Sequence, residues 1–450
     1  MKNLSFNQDL VKKLSRYISE GNAAQLHSMF VEVHHADIAE AIQFLTIEQA
    51  LYLITFFSPS KSSEILMHID LDTRKSILQV MSSQQIALQI DALSSDDAAD
   101  LVGVLSKDVK AQVIPLLSDI EHSKAIIDLL RYKQSSAGGL MAKEVVKVNH
   151  NWSTLRCVKE MRKQALNYDK VYTIYVVDDD DVLKGRLSLK SLLTNSTNTP
   201  IKEIYDSDIH YIVATDSGDS AAKIMKKYDL FVLPVLDELN RLLGQITLDD
   251  VLDVIKDEAD KDYQIAAGIT DDVEADASIL QLSKARLPWL VLGLVGGLGA
   301  AAIMGDFEDA LKAYPSLFFF TPLIAAMAGN VGVQSSAIIV QGIANNTLRG
   351  SLFLRLIKEV SLALLNGLSL SLLIYIYGLF KIDDPTVSLV VCISLLIVIV
   401  ISALIGTFIP IFLKNRSIDP AIATGPFITT SNDIFGIFIY FTIAKFMLGF

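Results

Sequence analysis

Five long apolar runs close the chain, at 287–304, 317–340, 360–380, 387–413 and 422–448, and nothing comparable precedes Lys284. A helix needs about 20 apolar residues to cross about 30 Å of hydrocarbon, so each run predicts a transmembrane helix. The first is short, and the fourth is long enough to tilt. Ahead of them the apolar residues recur at helical spacing, as in IAEAIQFL, SEILMHI and AADLVGVL. Residues 1–135 read as helices throughout. Similar helix starts, Asp37-Ile38-Ala39 and Asp97-Ala98-Ala99, predict an α-superhelix of hairpins. His34 and His35 stand just ahead of one such helix, where a helix-start role is expected rather than a metal site.

The period changes near Gly138. Strand-like runs (VYTIYVVD, HYIVAT, LFVLPVLD) alternate with helical stretches, and one order occurs twice: helix, strand ending in Asp, turn, short strand, helix. This duplication predicts tandem small α/β modules of a regulatory kind. The run Asp178–Asp181 lacks the spacing of an EF-hand loop and falls between two strands, so a solvated turn is expected. The expected fold class is multi-domain. It has an α-helical superhelical N-domain (1–135), tandem α/β modules (136–200 and 201–257), a connecting helix (258–284) and a five-helix transmembrane domain (285–450).

Composition agrees only with a divided chain: the mean hydropathy is +0.40, yet 20% of residues are charged. The net charge of −12 argues against a nucleic-acid partner and favours cations. Cys157 and Cys392 fall in different parts, so no disulfide is expected and a reducing cytosol suits the soluble part. The N-terminus reads as an amphipathic helix without the apolar core of a signal peptide. Loop basics give the orientation. Lys284, Arg286, Arg349, Arg355, Lys358, Lys414 and Arg416 flank one side of the spans, and Lys312, Lys381 and Lys445 the other. The excess predicts a cytosolic N-terminus and a C-terminus outside an inner (cell) membrane.

The fifth run carries one lone carboxylate, Asp433, within ITTSND. An Asp at the centre of a membrane helix costs about 2.5–3.5 kcal/mol, and no basic residue is nearer in sequence than Lys445. A water-filled cation path explains it better than an interhelical hydrogen bond. All seven histidines lie outside the spans. Only oxygen ligands are on offer: Asp433, nearby hydroxyls, Asn330, Gln334 and backbone carbonyls. That set suits a hard cation, and a site with few carboxylates and many neutral acceptors could hold Mg²⁺, which dehydrates reluctantly, through its waters. Seven of the eleven prolines lie between Pro288 and Pro426, beside glycine-rich stretches. Both close helix packing and broken helices lining a polar path fit that pattern.

Between Thr247 and Asp276 stand eleven acids (Asp249, Asp250, Asp253, Asp257, Glu258, Asp260, Asp262, Asp271, Asp272, Glu274 and Asp276) against two lysines. This segment links the soluble modules to the first span, so a regulatory role is expected of it.

Three stretches carry a resemblance to a known family: VLPVLDELNRLLGQITLDDVLDVIKDEADKD, PLIAAMAGNVGVQSS and IDPAIATGPFITTSND. They resemble the MgtE magnesium channels, and the likeness covers essentially the whole chain in domain order. It implies that the tandem modules are CBS modules and that the protein is a Mg²⁺ channel, working as a homodimer in the lipid bilayer. Asp433 would be the pore carboxylate facing its twin, and Asp419 would lie at the cytosolic end of the pore. Asp229, Asp250, Asp253, Glu258 and Asp262 would belong to Mg²⁺-sensing interfaces of the CBS pair and connecting (plug) helix. Asp96 and Asp100 would be their N-domain partners. ATP is a candidate ligand of the CBS modules. Lys261 and Ser217 stand where the family often has acids, and Gly425 where some members have a polar residue. The expected mechanism is feedback: cytosolic Mg²⁺ bridges the acidic faces and closes the pore. A CBS-regulated, proton-coupled carrier of another solute is the alternative. No nucleophile–base pair or phosphate-cradling loop stands out, so an enzyme is not expected.

Overall fold

The computed structural model describes residues 8–449 except 167, 169, 271–272, 274–276, 346, 349 and 382–383. Four acids of the linking segment (Asp271, Asp272, Glu274, Asp276) and the basic Arg349 therefore lie outside the described residues. The chain divides into two compact units, 1–256 and 257–450.

The first unit opens with ten short helices: α1 (Gln8–Ser19), α2 (Ala23–Phe30), α3 (His35–Ile42), α4 (Ile47–Phe56), α5 (Pro59–His68), α6 (Leu71–Val80), α7 (Ser83–Ile90), α8 (Ser95–Gly103), α9 (Lys107–Val113) and α10 (Ile120–Leu129). Side-chain caps set where many of them begin. Thr46 and Ser82 form reciprocal capping boxes with Gln49 and Gln85, and Asn22, Asp70, Ser106 and Asp119 each accept from a first-turn amide. His34 is such a cap, its Nδ1 accepting from the Ala36 amide at 3.2 Å, as the sequence suggested. Helices pack on the one two places along, α3 on α5, α4 on α6, α5 on α7, α7 on α9 and α8 on α10. That progression winds the superhelix around Leu26, Ile38, Leu53, Ile65, Ile77, Ile86 and Leu101.

After α11 (Ala137–Leu140) come two copies of one module. The first is β1 (Val146–Asn149), α12 (Thr154–Ala165), β2 (Ile174–Val177), β3 (Leu183–Leu187) and α13 (Leu189–Thr194). The second is β4 (Ile212–Val213), α14 (Gly218–Tyr228), β5 (Val232–Leu236), β6 (Leu242–Thr247) and α15 (Leu248–Ala266). In each, the first strand runs parallel to the second and the second antiparallel to the third. Asp178–Asp181 is the β2–β3 turn: Asp178 accepts from the amides of Asp180 and Val182 and pairs with Lys184 at 2.8 Å. Buried Tyr175 donates to Gln245 at 3.2 Å, and Gln245 exchanges backbone bonds with Ala142, so the two modules share a seam.

The connecting segment departs from the expectation of one helix over 258–284. α15 starts at Leu248, directly after β6, and stops at Ala266. The Ala267, Gly268 and Ile269 amides close its last turn onto Tyr263, Ile265 and Gln264, with Gly268 at φ +80°. A new helix, α16 (Ile279–Asp306), begins on a Ser278 capping box and carries Lys284 and Arg286 into the first span.

The second unit continues with α17 (Glu308–Ala313), α18 (Ser316–Ala344), α19 (Leu352–Lys381), α20 (Pro385–Asn415), a 3₁₀ turn at Pro420–Ala423 and α21 (Gly425–Leu448). Five helical segments, with the 3₁₀ turn counted into the fifth, are long and apolar enough to cross a membrane among the described residues. Both readings of the Gly/Pro pattern apply, at different places. α18 and α20 run unbroken through Pro322 and Pro410 and cross closely, since a Cβ on Gly406 would stand 2.4 Å from the Gly332 carbonyl oxygen. The break falls before the fifth span, where Ser417 at φ +58° and Gly425 at φ +49° bracket the 3₁₀ turn. Gly406→Ala is expected to force α20 off α18 and lower the unfolding temperature in detergent by several degrees. Gly103→Ala at the end of α8, whose Cβ would meet open space, should not lower it, as a thermal melt of both variants would show.

Candidate functional site

The fifth membrane helix starts late and pointed. Asp419 accepts from the Ala421 amide at 2.8 Å and so caps the 3₁₀ turn. The Ala423 carbonyl takes the Ser336 hydroxyl of α18 at 2.6 Å. Gly425 can be nothing larger: its φ is positive and a Cβ there would lie 2.2 Å from the Ala266 carbonyl at the end of α15. From this anchored start α21 runs inward, and Asp433 is reached about 12 Å along it.

Asp433 is half-buried against α18. Its Oδ1 lies 3.0 Å from where a Gly329 Cβ would be and has no hydrogen-bond partner. Next to Gly329, Asn330 faces an open pocket of about 670 Å³. Asn330 and Gln334 line it from α18, Thr429 and Thr430 from α21, and Ala266 and Ala267 from the end of α15. The fold thus gathers the oxygen donors that the sequence offered separately, about one helical turn from Asp433 toward the start of α21. Asn330 and Gln334 are exposed in the single chain. Polar amides at membrane depth face water or protein rather than lipid, so this side of α18 borders a wet path or another protein.

Two more polar residues stand beside the site: Asn432, which the sequence shows only as part of the polar run with Asp433, and Glu359, which the sequence reading does not single out. Asn432 is fully buried with both amide atoms unpartnered, packed where Gly332 lacks a side chain. Glu359 lies two turns inside α19 and accepts from Ser335 at 2.5 Å, so Asp433 is not alone at membrane depth. The apolar run at 360–380 begins just past it, and the apolar triplet at 352–354 signals that the helix starts earlier.

In the first unit, four acids converge. Asp96, Asp97 and Asp100 follow one another on α8, and Asp250 lies in the first turn of α15. Burial raises every one of their pKa values: Asp97 to about 7 and Asp100 to about 6, with the Asp96 charge adding to both. Asp250 is pushed up by burial and then by Asp96, and Asp96 by burial and then by Glu144. Asp96 Oδ1 is buried without a partner. Such a group holds protons, or would hold a cation, more readily than free carboxylates. Asp250 also has a structural duty, its Oδ2 accepting from the Thr247 amide (3.1 Å) and hydroxyl (2.6 Å). The other sequence candidates are placed apart from this cluster. Asp229 is the exposed left-handed cap of α14, and Asp253, Glu258 and Asp262 are exposed along α15.

Comparison with known proteins covers both parts. A family profile described as MgtE divalent cation transporter matches residues 321–443, the MgtE intracellular N domain matches 33–135, and CBS domains match 137–197 and 201–257. The chain is 31% identical over 446 residues to the magnesium transporter MgtE of Thermus thermophilus, covering 98% of this chain and 99% of that one. It is 28% identical over 447 residues to that of Bacillus subtilis, covering 99% and 98%. A solved cytosolic domain of the Mg²⁺ channel MgtE in complex with ATP aligns with TM-score 0.51 and 31% identity, over 54% of this chain and all of that one.

Proposed function

Because the chain belongs to the MgtE family of magnesium transporters, we propose that Asp433 is the ion-selecting carboxylate of its Mg²⁺ pore and that its cytosolic acids are the sensor that closes it. The protein is a multi-pass membrane transporter of Mg²⁺ with a cytosolic N-domain and CBS pair, and not an enzyme.

The pocket below Asp433 carries the pore assignment. Its donors are neutral amides and hydroxyls, with a single carboxylate per chain beyond them. That suits an ion passing with its water shell, because Mg²⁺ dehydrates reluctantly. A two-fold homodimer would set two Asp433 side chains about one path. Two features support it: the exposed Asn330 and Gln334, and α16, which buries only Ala285 and Gly296 among its described residues. Asp419, exposed at the break, stands at the cytosolic mouth. Five spans then put the C-terminus outside.

The gate follows from α15. Its last residues line the pocket, and its first turn carries Asp250 beside Asp96. Mg²⁺ bridging Asp96, Asp100 and Asp250, with further ions at Asp229, Asp253, Glu258 and Asp262, would hold α15 against the pore mouth. ATP, bound by the relative's cytosolic domain, is the candidate nucleotide of the CBS pair.

Proteoliposomes carrying a Mg²⁺ indicator or a pH indicator test the transport mode. An inward Mg²⁺ gradient should raise internal Mg²⁺ while internal pH stays flat. A proportional pH change would instead show proton-coupled carriage.

A further inference from the structure

The N-domain holds a second group of metal-ligand side chains, of a different chemistry from the pore. His35 is the first residue of α3, and Glu64 and His68 are one turn apart on α5, which packs against α3. Lys61 of α5 ties it to the end of α2 and the connection just ahead of α3, its Nζ donating to the Phe30 and Val33 carbonyls at 2.9 and 3.2 Å. The His35 and His68 rings stack at 4.7 Å, and His35 Nε2 lies 4.0 Å from Glu64 Oε2. One ligand atom from each of the three side chains falls within 4.8 Å of the others.

We propose that His35, Glu64 and His68 form a binding site for a borderline-soft divalent cation of the Zn²⁺ class, separate from the Mg²⁺ sites. Two imidazoles and one carboxylate are a three-ligand set that Zn²⁺ accepts, with water in the fourth position. Hard Mg²⁺ prefers all-oxygen octahedra and is disfavoured here. Bonds of about 2.0–2.1 Å place tetrahedral ligands about 3.4 Å apart, so from a spread of up to 4.8 Å closure asks the ligand atoms to draw in by up to about 1.4 Å. They are free to do so, since Glu64 is 48% exposed and His68 is exposed. Burial, with His34 and His68 adding to it, lowers the His35 pKa, the direction that favours the neutral ring a metal needs. His34 takes no part, being committed as the α3 cap. A bound ion would tie the start of α3 to the end of α5. It would also reach the acid cluster, because Glu64 is among the charges that Asp97 feels.

The test uses the full chain in detergent, stripped of metal and titrated with Co²⁺, whose tetrahedral complexes absorb in the visible. The site predicts one equivalent per chain, displaced by Zn²⁺ and not by millimolar-scale Mg²⁺. Glu64→Gln and His68→Gln should each weaken Co²⁺ binding by at least about 100-fold, since even outer partners of a ligand are worth about 10–100-fold. Both positions are exposed, so metal-free variants should melt with the metal-free parent, and Zn²⁺ should raise the melting temperature of the parent alone. No saturable visible band, displacement by Mg²⁺, or undiminished binding in both variants would overturn the site. None of these readouts depends on Mg²⁺ flux.

Discussion

Asp433→Asn is expected to cut Mg²⁺ uptake at least about tenfold while leaving the protein inserted and folded. The substitution keeps the shape of the side chain and removes its charge. A doubly charged ion held through one water about 4.5 Å from a carboxylate is attracted by about 7 kcal/mol at an effective dielectric of 20. Desolvation takes back much of this, but retaining about 1.4 kcal/mol is already tenfold in occupancy. Nothing nearby replaces the lost charge: Asp433 Oδ1 has no hydrogen-bond partner and the pocket beneath it is lined by neutral groups. Asp433→Glu should keep part of the flux. Normal uptake by the Asn variant in reconstituted vesicles would remove Asp433 from the mechanism.

Asp96→Asn combined with Asp250→Asn is expected to flatten the response of the channel to cytosolic Mg²⁺. Two carboxylates about 6 Å apart repel by about 2.8 kcal/mol at an effective dielectric of 20. Reversing a 1:99 balance takes about 5.5 kcal/mol. One bridged pair in each chain of a dimer therefore supplies about the range needed for a gate. The double variant loses the Asp96–Asp250 repulsion and the carboxylate on α15 that a bridging ion would hold, while Asp97 and Asp100 stay on α8. The ratio of flux at low to high cytosolic Mg²⁺ should fall at least several-fold, whichever gate position the variant rests in. An unchanged ratio would place the sensor elsewhere.

Much of this architecture was legible in the sequence because it rests on local patterns. Hydropathy located five spans, and the duplicated helix–strand–strand–helix order located the modules. Errors came where charge and local pattern part company. Lys284, Arg286 and Lys358 looked like flanks, yet they sit inside α16 and α19, since a helix carries a few charges past its apolar stretch at little cost. The connecting segment looked continuous because its acids favour helix, and Gly268 ends it. The candidate pore was half-legible: Asp433, Asn330 and Gln334 were named as separate donors, but only the α18–α21 crossing puts them on one path. Asn432 and Gly332 form a contact between helices that no local pattern announces. The convergence of Asp96 with Asp250, 154 positions apart, came from family resemblance rather than from periodicity. His35 illustrates the reverse case: its neighbour does cap a helix as read, while His35 itself meets Glu64 and His68 only through packing.

The central claim is that Mg²⁺ on the cytosolic side closes a pore built around Asp433. Flux of Mg²⁺ into vesicles holding the full-length protein, measured while Mg²⁺ on the cytosolic face alone is raised, tests it most directly. The account predicts steep closure with rising cytosolic Mg²⁺, beyond what the shrinking gradient explains. Flux that simply follows the gradient would contradict it.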